Sequence, residues 1–235
     1  MCTVSFVRCG DKTILTSNRD EEVLRPAIPP KNYRVNGKNL VFPKDPRAGG
    51  TWFAVAENAN VLVLLNGAAQ KHHWEPPYRK SRGLVVLDLI SNESPLQTWE
   101  KIDLDKIEPF TLVLYEQAKL FQLRWDGVQK ETTALAVTRN YVWSSSTLYP
   151  EAVREQRAGW FYHFLETKPQ VTETEMFDFH RYTENDDQQH GLVINRDDKL
   201  KTLSITQVVL ERNKVALVHH DLLDHQKSEQ TFTIV

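Results

Sequence analysis

Short runs rich in β-branched and aromatic residues occur in pairs, and this pairing restricts the fold more than any other sequence feature. Residues 3–8 and 13–17 flank a turn that contains Gly10, which predicts a β-hairpin. Residues 51–56 and 61–65 predict a second hairpin in the same way. Because a hairpin joins antiparallel neighbours, we expect the chain to build antiparallel sheets.

The better helical patterns lie between the hairpins at the two ends of the chain. Apolar residues recur at helical spacing in 81–89, 95–102, 150–166 and 176–182. The third of these should bury Val153, Trp160, Phe161 and Phe164. Further strands are predicted at 110–115, 120–125, 141–145, 203–210, 215–219 and 231–235, and a proline-rich loop at 25–30. This order of elements predicts an α+β layered sandwich with helices on the outer faces, in one domain over residues 1–235.

Composition narrows the class of protein. The net charge is −2 over 235 residues, with both signs spread along the chain, so no nucleic-acid partner is expected. No apolar run approaches the roughly 20 residues that span a bilayer, so no membrane span is expected. If the segment between Cys2 and Cys9 is extended, their Cα atoms lie roughly 23 Å apart, too far for a disulfide. The sequence therefore predicts a reduced, cytoplasmic protein.

Cofactor and metal signals are weak. No Walker-type or Rossmann glycine pattern occurs, and we predict no cofactor. The adjacent pairs His72-His73 and His219-His220 would point to opposite faces of a strand, and no metal site is predicted from them.

Cys2 is the residue most suggestive of chemistry. A cysteine directly after Met1 becomes the N-terminal residue when the methionine is removed. Its α-amine, with an unperturbed pKa of about 7.7–8.0, can then serve as the base for its own thiol. The alternative is a small residue near the end of a strand.

The segment Asn18-Arg19-Asp20-Glu21 follows the second strand of the first hairpin. Antiparallel pairing should bring it back beside Cys2. An aspartate there can bind an α-ammonium group, and an arginine can lower the pKa of a thiol or hold a carboxylate. The alternative is a charged turn at the end of a strand.

Taken together, the start Met1-Cys2-Thr3-Val4-Ser5-Phe6 and the tetrad Asn18-Arg19-Asp20-Glu21 resemble the NRDE-domain family of the transport-and-Golgi-organisation type. The segments 49–55 and 65–67 resemble the next block of that family. This family is similar in turn to the penicillin acylase and bile-salt hydrolase branch of N-terminal-nucleophile hydrolases. The resemblance implies a four-layer αββα sandwich of two antiparallel sheets and cleavage of linear amides.

Residue roles follow from the same resemblance. It implies that Cys2 is the nucleophile, that Asp20 orients the α-amine and that Asn66 donates to the oxyanion. Asn18, Arg19 and Ser145 are the implied substrate-binding residues. Ser145 stands where the hydrolases have an asparagine, and Ser17 stands where they have an arginine.

Three functions remain open from the sequence. The first is a cysteine N-terminal-nucleophile hydrolase or acyltransferase with a small-molecule acyl or amide ligand. The second is a non-catalytic binding or trafficking protein for acyl-CoA, lipid or haem on the same fold. The third is a globular protein in which the tetrad is structural. The oligomeric state is not predicted.

Overall fold

The computed structural model describes residues 3–168 and 170–234. In chain order, the strands are β1 (Thr3–Cys9), β2 (Lys12–Glu22), β3 (Ile28–Val35), β4 (Lys38–Lys44), β5 (Phe53–Ala56), β6 (Val61–Asn66), β7 (Phe110–Glu116), β8 (Lys119–Trp125), β9 (Lys130–Leu135), β10 (Tyr141–Ser144), β11 (Asn195–Arg196), β12 (Leu200–Glu211), β13 (Lys214–Asp221) and β14 (Lys227–Thr233). The helices are α1 (Arg82–Ile90), α2 (Pro95–Lys101), α3 (Glu151–Glu166) and α4 (Glu173–Tyr182).

The strands form two antiparallel sheets. The first has the order β10-β1-β2-β12-β13-β14, with β11 paired to β12. The second runs β3-β4-β5-β6-β7-β8-β9, so its neighbours in space are neighbours in sequence. Both predicted hairpins are confirmed, as β1–β2 and β5–β6.

The layers follow from which faces are apolar. Helices α1 and α2 pack on the second sheet, whereas α3 and α4 pack on the first. Between the sheets, Val4, Phe6 and Leu15 join one apolar cluster with side chains of the second sheet. On the outer face of the first sheet, Val7 and Ile14 pack with helical residues in a separate cluster. Alternation along β1 and β2 thus supplies both clusters, and the predicted four-layer αββα sandwich is confirmed.

Helix starts agree with their local signals. The Ser81 hydroxyl accepts a hydrogen bond from the Gly83 N–H at the start of α1. Thr172 and Glu175 form a reciprocal capping box at the start of α4. No helix in the described part of the chain is both long and apolar enough to cross a membrane.

Some predictions were wrong in detail. The proline-rich run is a loop only up to Ala27, because β3 begins at Ile28 and includes both following prolines. Strand β3 lies at an edge of its sheet, and its register with β4 shifts between Ile28 and Lys31. Both prolines fall within this shift, so their missing N–H groups cost no ladder bond. In α3, Phe161 is buried as predicted, while Val153, Trp160 and Phe164 are only partly buried.

A buried histidine ties α4 to the first sheet. His180 is fully buried. Its Nε2 lies 2.7 Å from the Ser5 hydroxyl, and its Nδ1 lies 2.5 Å from Oδ1 of the Asn18 side chain. Burial, assisted by the positive charge of Arg157, lowers the pKa of His180 to about 3. The ring is therefore neutral at physiological pH.

We expect the free energy of unfolding to fall as the pH is lowered below about 6.5, the ordinary histidine pKa. Between that value and the folded pKa of about 3, the unfolded chain binds a proton that folded His180 does not. Stability therefore rises with pH in this window, by up to about 1.4 kcal/mol per pH unit from this residue.

Denaturant titrations between about pH 7 and about pH 5 measure this slope. His180→Gln should reduce this slope, with buried His219 still contributing, whereas His163→Gln, on an exposed position of α3, should leave it unchanged. An identical slope in His180→Gln and the unmodified chain would contradict the assignment.

Candidate active site

The pairing of β1 with β2 sets the geometry of the tetrad. Thr3, the residue after Cys2, lies opposite Asn18. Because side chains alternate along a strand, Asn18 and Asp20 face the helices α3 and α4, whereas Arg19 faces the second sheet. The tetrad therefore divides its polar groups between two sides of the first sheet.

Asn18 holds structure together on the helical side. Its Nδ2 donates to the carbonyls of His180 at 3.0 Å and Leu192 at 2.7 Å. Its Oδ1 contacts the His180 ring nitrogen. These bonds use both ends of the amide to connect β2 with α4 and the segment before β11.

Asp20 is also buried on that side. Its carboxylate accepts hydrogen bonds from the Tyr149 hydroxyl at 2.7 Å and the Thr202 hydroxyl at 2.5 Å. Two hydroxyl donors orient the carboxylate and offset the cost of burying it.

Arg157 connects this carboxylate site to the start of β1. Its guanidinium lies 3.5 Å from the centroid of the Tyr149 ring and donates to the Thr3 hydroxyl at 2.7 Å. It also donates to the carbonyls of His190 and Gly191. Arg157 was absent from the sequence prediction, although it lies four residues from Val153 and from Phe161, on the same helical stripe.

Arg19 lies between the two sheets. Its guanidinium stacks 4.6 Å from the Trp52 ring centroid and donates to the Arg25 carbonyl at 2.9 Å. The Trp52 ring lies 6.3 Å from the ring of His219, whose pKa burial lowers to about 4. The neighbouring His220 packs against Phe177 of α4 with the rings tilted, so the two histidines face opposite sides of β13 as expected.

Arg19 opens onto a cavity of about 340 Å³, which we name the charged pocket. Its ionisable and aromatic lining comprises Arg19, Glu21, Arg25, Asp45, Trp52, Tyr78, Lys80, Arg82 and Glu108, and Asn66 also lines it. Residues from β2, β6, the start of α1 and four loops therefore meet here.

The charges of this pocket are mostly paired. Arg25 lies 2.5 Å from Asp45 and 3.4 Å from Glu21, and Arg82 lies 2.9 Å from Glu108. Burial alone would raise the pKa of Asp45, but the hydrogen bond and charge of Arg25 hold it below its usual range. The pocket is thus strongly polar with fixed charges of both signs.

Asn66 ends β6 at the wall of the charged pocket. Its side-chain amide makes no hydrogen bond with another described residue, while its backbone carbonyl accepts one from the Ser145 hydroxyl at 2.8 Å. The next residue, Gly67, has φ +83°, and a Cβ there would collide with Ser146. The chain is therefore held in a tight turn directly after Asn66, at the wall of the charged pocket.

Comparison with known families identifies the family to which this chain belongs. The sequence matches the family described as Transport and Golgi organisation 2 over residues 1–223. The chain belongs to this family. A comparison with curated proteins found no match.

Solved structures similar to this member of the Transport and Golgi organisation 2 family have the N-terminal-nucleophile hydrolase fold. An N-acylethanolamine-hydrolyzing acid amidase orthologue from Caenorhabditis elegans has a TM-score of 0.62 at 11% identity, covering 88% of this chain and 92% of its own. A cysteine-to-alanine mutant of conjugated bile acid hydrolase from Clostridium perfringens has a TM-score of 0.55 at 10% identity, covering 98% and 92%. Another variant of that hydrolase has a TM-score of 0.55 at 9% identity, covering 99% of this chain and 97% of its own.

The predicted site residues of this family member fall into three groups. Arg19 and Asn66 meet at the charged pocket. Asn18 and Asp20 lie on the helical side of the first sheet, and Ser145 contacts the carbonyl of Asn66. The predicted nucleophile, Cys2, lies outside the described residues.

Further residues of the charged pocket escaped the sequence prediction. Asp45, Arg82 and Glu108 are separated by long stretches of chain and follow no local motif. No group of three metal-ligating side chains occurs among residues 3–168 and 170–234.

Proposed function

We propose that this protein is a cysteine N-terminal-nucleophile hydrolase or acyltransferase that acts on a linear amide or thioester, with Cys2 as nucleophile. The observation that carries the proposal is the position of Thr3. This residue follows Cys2 in sequence and pairs with Asn18, the neighbour of Arg19 at the charged pocket. The hydrolase-type fold supports the proposal, since the sheet pairing is that of a fold used by amide hydrolases.

The chemistry requires removal of Met1. The free α-amine of Cys2 then takes the thiol proton, and the thiolate attacks the substrate carbonyl. When the bond to the leaving group breaks, the amine returns the proton to the leaving nitrogen or sulfur. Water hydrolyses the resulting thioester in a hydrolase, whereas a second nucleophile accepts the acyl group in an acyltransferase.

Two other residues have roles in this proposal. Asn66 donates its unoccupied amide N–H to the oxygen that becomes negative during attack. Asp20, whose carboxylate Tyr149 and Thr202 orient, accepts a hydrogen bond from the α-ammonium group. Arg19 lines the pocket and contacts the substrate. Asn18 supports the start of β1 because it lies opposite Thr3. Ser145 supports Asn66 by donating a hydrogen bond to its backbone carbonyl.

The lining of the charged pocket supports a proposal about the kind of substrate. Its paired charges of both signs favour a polar group beside the scissile bond rather than a long hydrocarbon chain. We therefore propose that the substrate is a small amide or thioester with polar substituents. We also propose that the protein is cytoplasmic. The alternative of a binding protein for acyl-CoA, lipid or haem stays a prediction, and applies where Cys2 proves unreactive.

Turnover of a panel of small polar amides and thioesters tests the proposal. Cys2→Ala should abolish turnover, and Asn66→Ala should lower kcat by about 10²–10³-fold because it removes one oxyanion donor. Cys9→Ala is the matched control, since Cys9 lies at the other end of β1, and should retain full activity. Turnover that survives in Cys2→Ala would rule out this nucleophile.

A further inference from the structure

A second cavity, of about 170 Å³, adjoins the end of β6. We name it the arginine pocket, and its walls include Leu65, Gly67, Thr111, Arg124, Ser144 and Arg154. Asn66 lines the charged pocket, while the residues on either side of it, Leu65 and Gly67, line the arginine pocket. The two cavities therefore lie on either side of the C-terminal end of β6.

The charge of the arginine pocket is one-sided. Arg124 and Arg154 line it, and no acidic side chain of the described residues does. Arg124 lies 3.8 Å from Glu131, whose side chain is 56% exposed, and Arg154 donates to the Ala69 carbonyl at 3.0 Å. Each guanidinium has five N–H donors, so these contacts leave most of them unused.

Buried donors in this pocket lack partners. The Nε atoms of Arg124 and Arg154 are both buried, and neither makes a hydrogen bond within the described part of the chain. Buried N–H groups in folded proteins nearly always have an acceptor. The two guanidinium groups therefore bring positive charge and hydrogen-bond donors without a described acceptor to the wall of one small cavity.

We propose that the arginine pocket binds an oxyanion, the carboxylate or phosphate group of a small molecule. Planar guanidinium groups match the oxygen geometry of both. The cavity is several times the roughly 30 Å³ that one water occupies in the liquid, so one such group fits with a few attached atoms. Ser144, which can supply a neutral hydroxyl donor, also lines the cavity.

The site also adjoins the proposed reaction centre. Ser145 lines the arginine pocket and donates to the carbonyl of Asn66, and Ser144 pairs with Thr3. An anion held there lies beside the residues that position the proposed oxyanion donor. The inference concerns binding alone, so it stands or fails independently of turnover.

Isothermal titration calorimetry with inorganic phosphate and with succinate tests the proposal, each against sodium chloride of equal ionic strength. The variants are Arg124→Gln and Arg154→Gln, and Arg139→Gln is the matched control because it removes the same charge from an exposed turn. Each pocket variant should weaken binding by about tenfold or more, whereas the control binds as the unmodified protein does. Thermal unfolding of each variant shows that it is folded.

The outcomes separate the two sources of the anion. Preference for phosphate assigns the pocket to a phosphate group, and preference for succinate assigns it to a carboxylate. Equal binding by the pocket variants and the unmodified protein would overturn the proposal, as would no binding of either probe beyond that of chloride.

Discussion

Replacing Arg157 by methionine is expected to lower the free energy of unfolding by about 3–5 kcal/mol, because each buried acceptor left without a donor costs about 1–3 kcal/mol. The guanidinium donates to the Thr3 hydroxyl and to the carbonyls of His190 and Gly191. It also stacks on Tyr149, the residue that donates to Asp20. Methionine keeps much of the volume of the side chain but supplies none of these donors.

Chemical denaturation measures the loss. Gln156→Met puts the same new side chain on an exposed neighbouring position of α3 and should change stability by less than about 0.5 kcal/mol. If the two variants were equally stable, the network around Arg157 would contribute nothing, and its role in fixing the start of β1 would be wrong.

Adding one methyl group at Gly50 should destabilise the protein by about 3 kcal/mol or more, because overpacking forces backbone shifts. A Cβ there would lie 2.6 Å from both the Gly83 carbonyl oxygen and the Leu84 nitrogen, at the first turn of α1. The Thr51 N–H also donates to the Gly83 carbonyl at 3.1 Å. Since neither backbone can move alone, Gly50→Ala should separate two walls of the charged pocket.

Gly159→Ala is the opposite case and serves as the control. Gly159 lies in α3 with open space around the site of a new Cβ, so alanine should stabilise the helix by about 0.5–1 kcal/mol. Thermal melts of the two variants should therefore shift in opposite directions. A Gly50→Ala variant as stable as the unmodified chain would show that the close approach at α1 is not tight.

Local signals in the sequence predicted most of the fold. Residue alternation with turn residues predicted the hairpins, because this feature depends on neighbours in sequence. The last helix begins at Glu173, three residues before the predicted start. Strand β9 escaped prediction because Lys130–Leu135 is mostly polar and lies at an edge of the second sheet. Such a strand has only one paired neighbour and little apolar surface to bury.

The candidate site was less predictable. The tetrad was expected to follow the second strand, but β2 runs to Glu22 and contains it, with Asn18 opposite Thr3. Its predicted place beside Cys2 lies outside the described residues. Because the tetrad lies within β2, alternation along the strand puts Arg19 on one face of the sheet and Asn18 and Asp20 on the other. The contribution of Arg82 and Glu108 depends on how α1 packs on the second sheet, and no local pattern specifies that packing.

Mass spectrometry of the N-terminal peptide, after brief sub-stoichiometric alkylation of the native protein, tests the central claim most directly. Cys9, which is partly buried and not part of a disulfide, provides the internal reference for an ordinary thiol. The nucleophile proposal predicts that Met1 is absent and that Cys2 is alkylated much faster than Cys9. Retained Met1, or equal alkylation of the two cysteines, would contradict it.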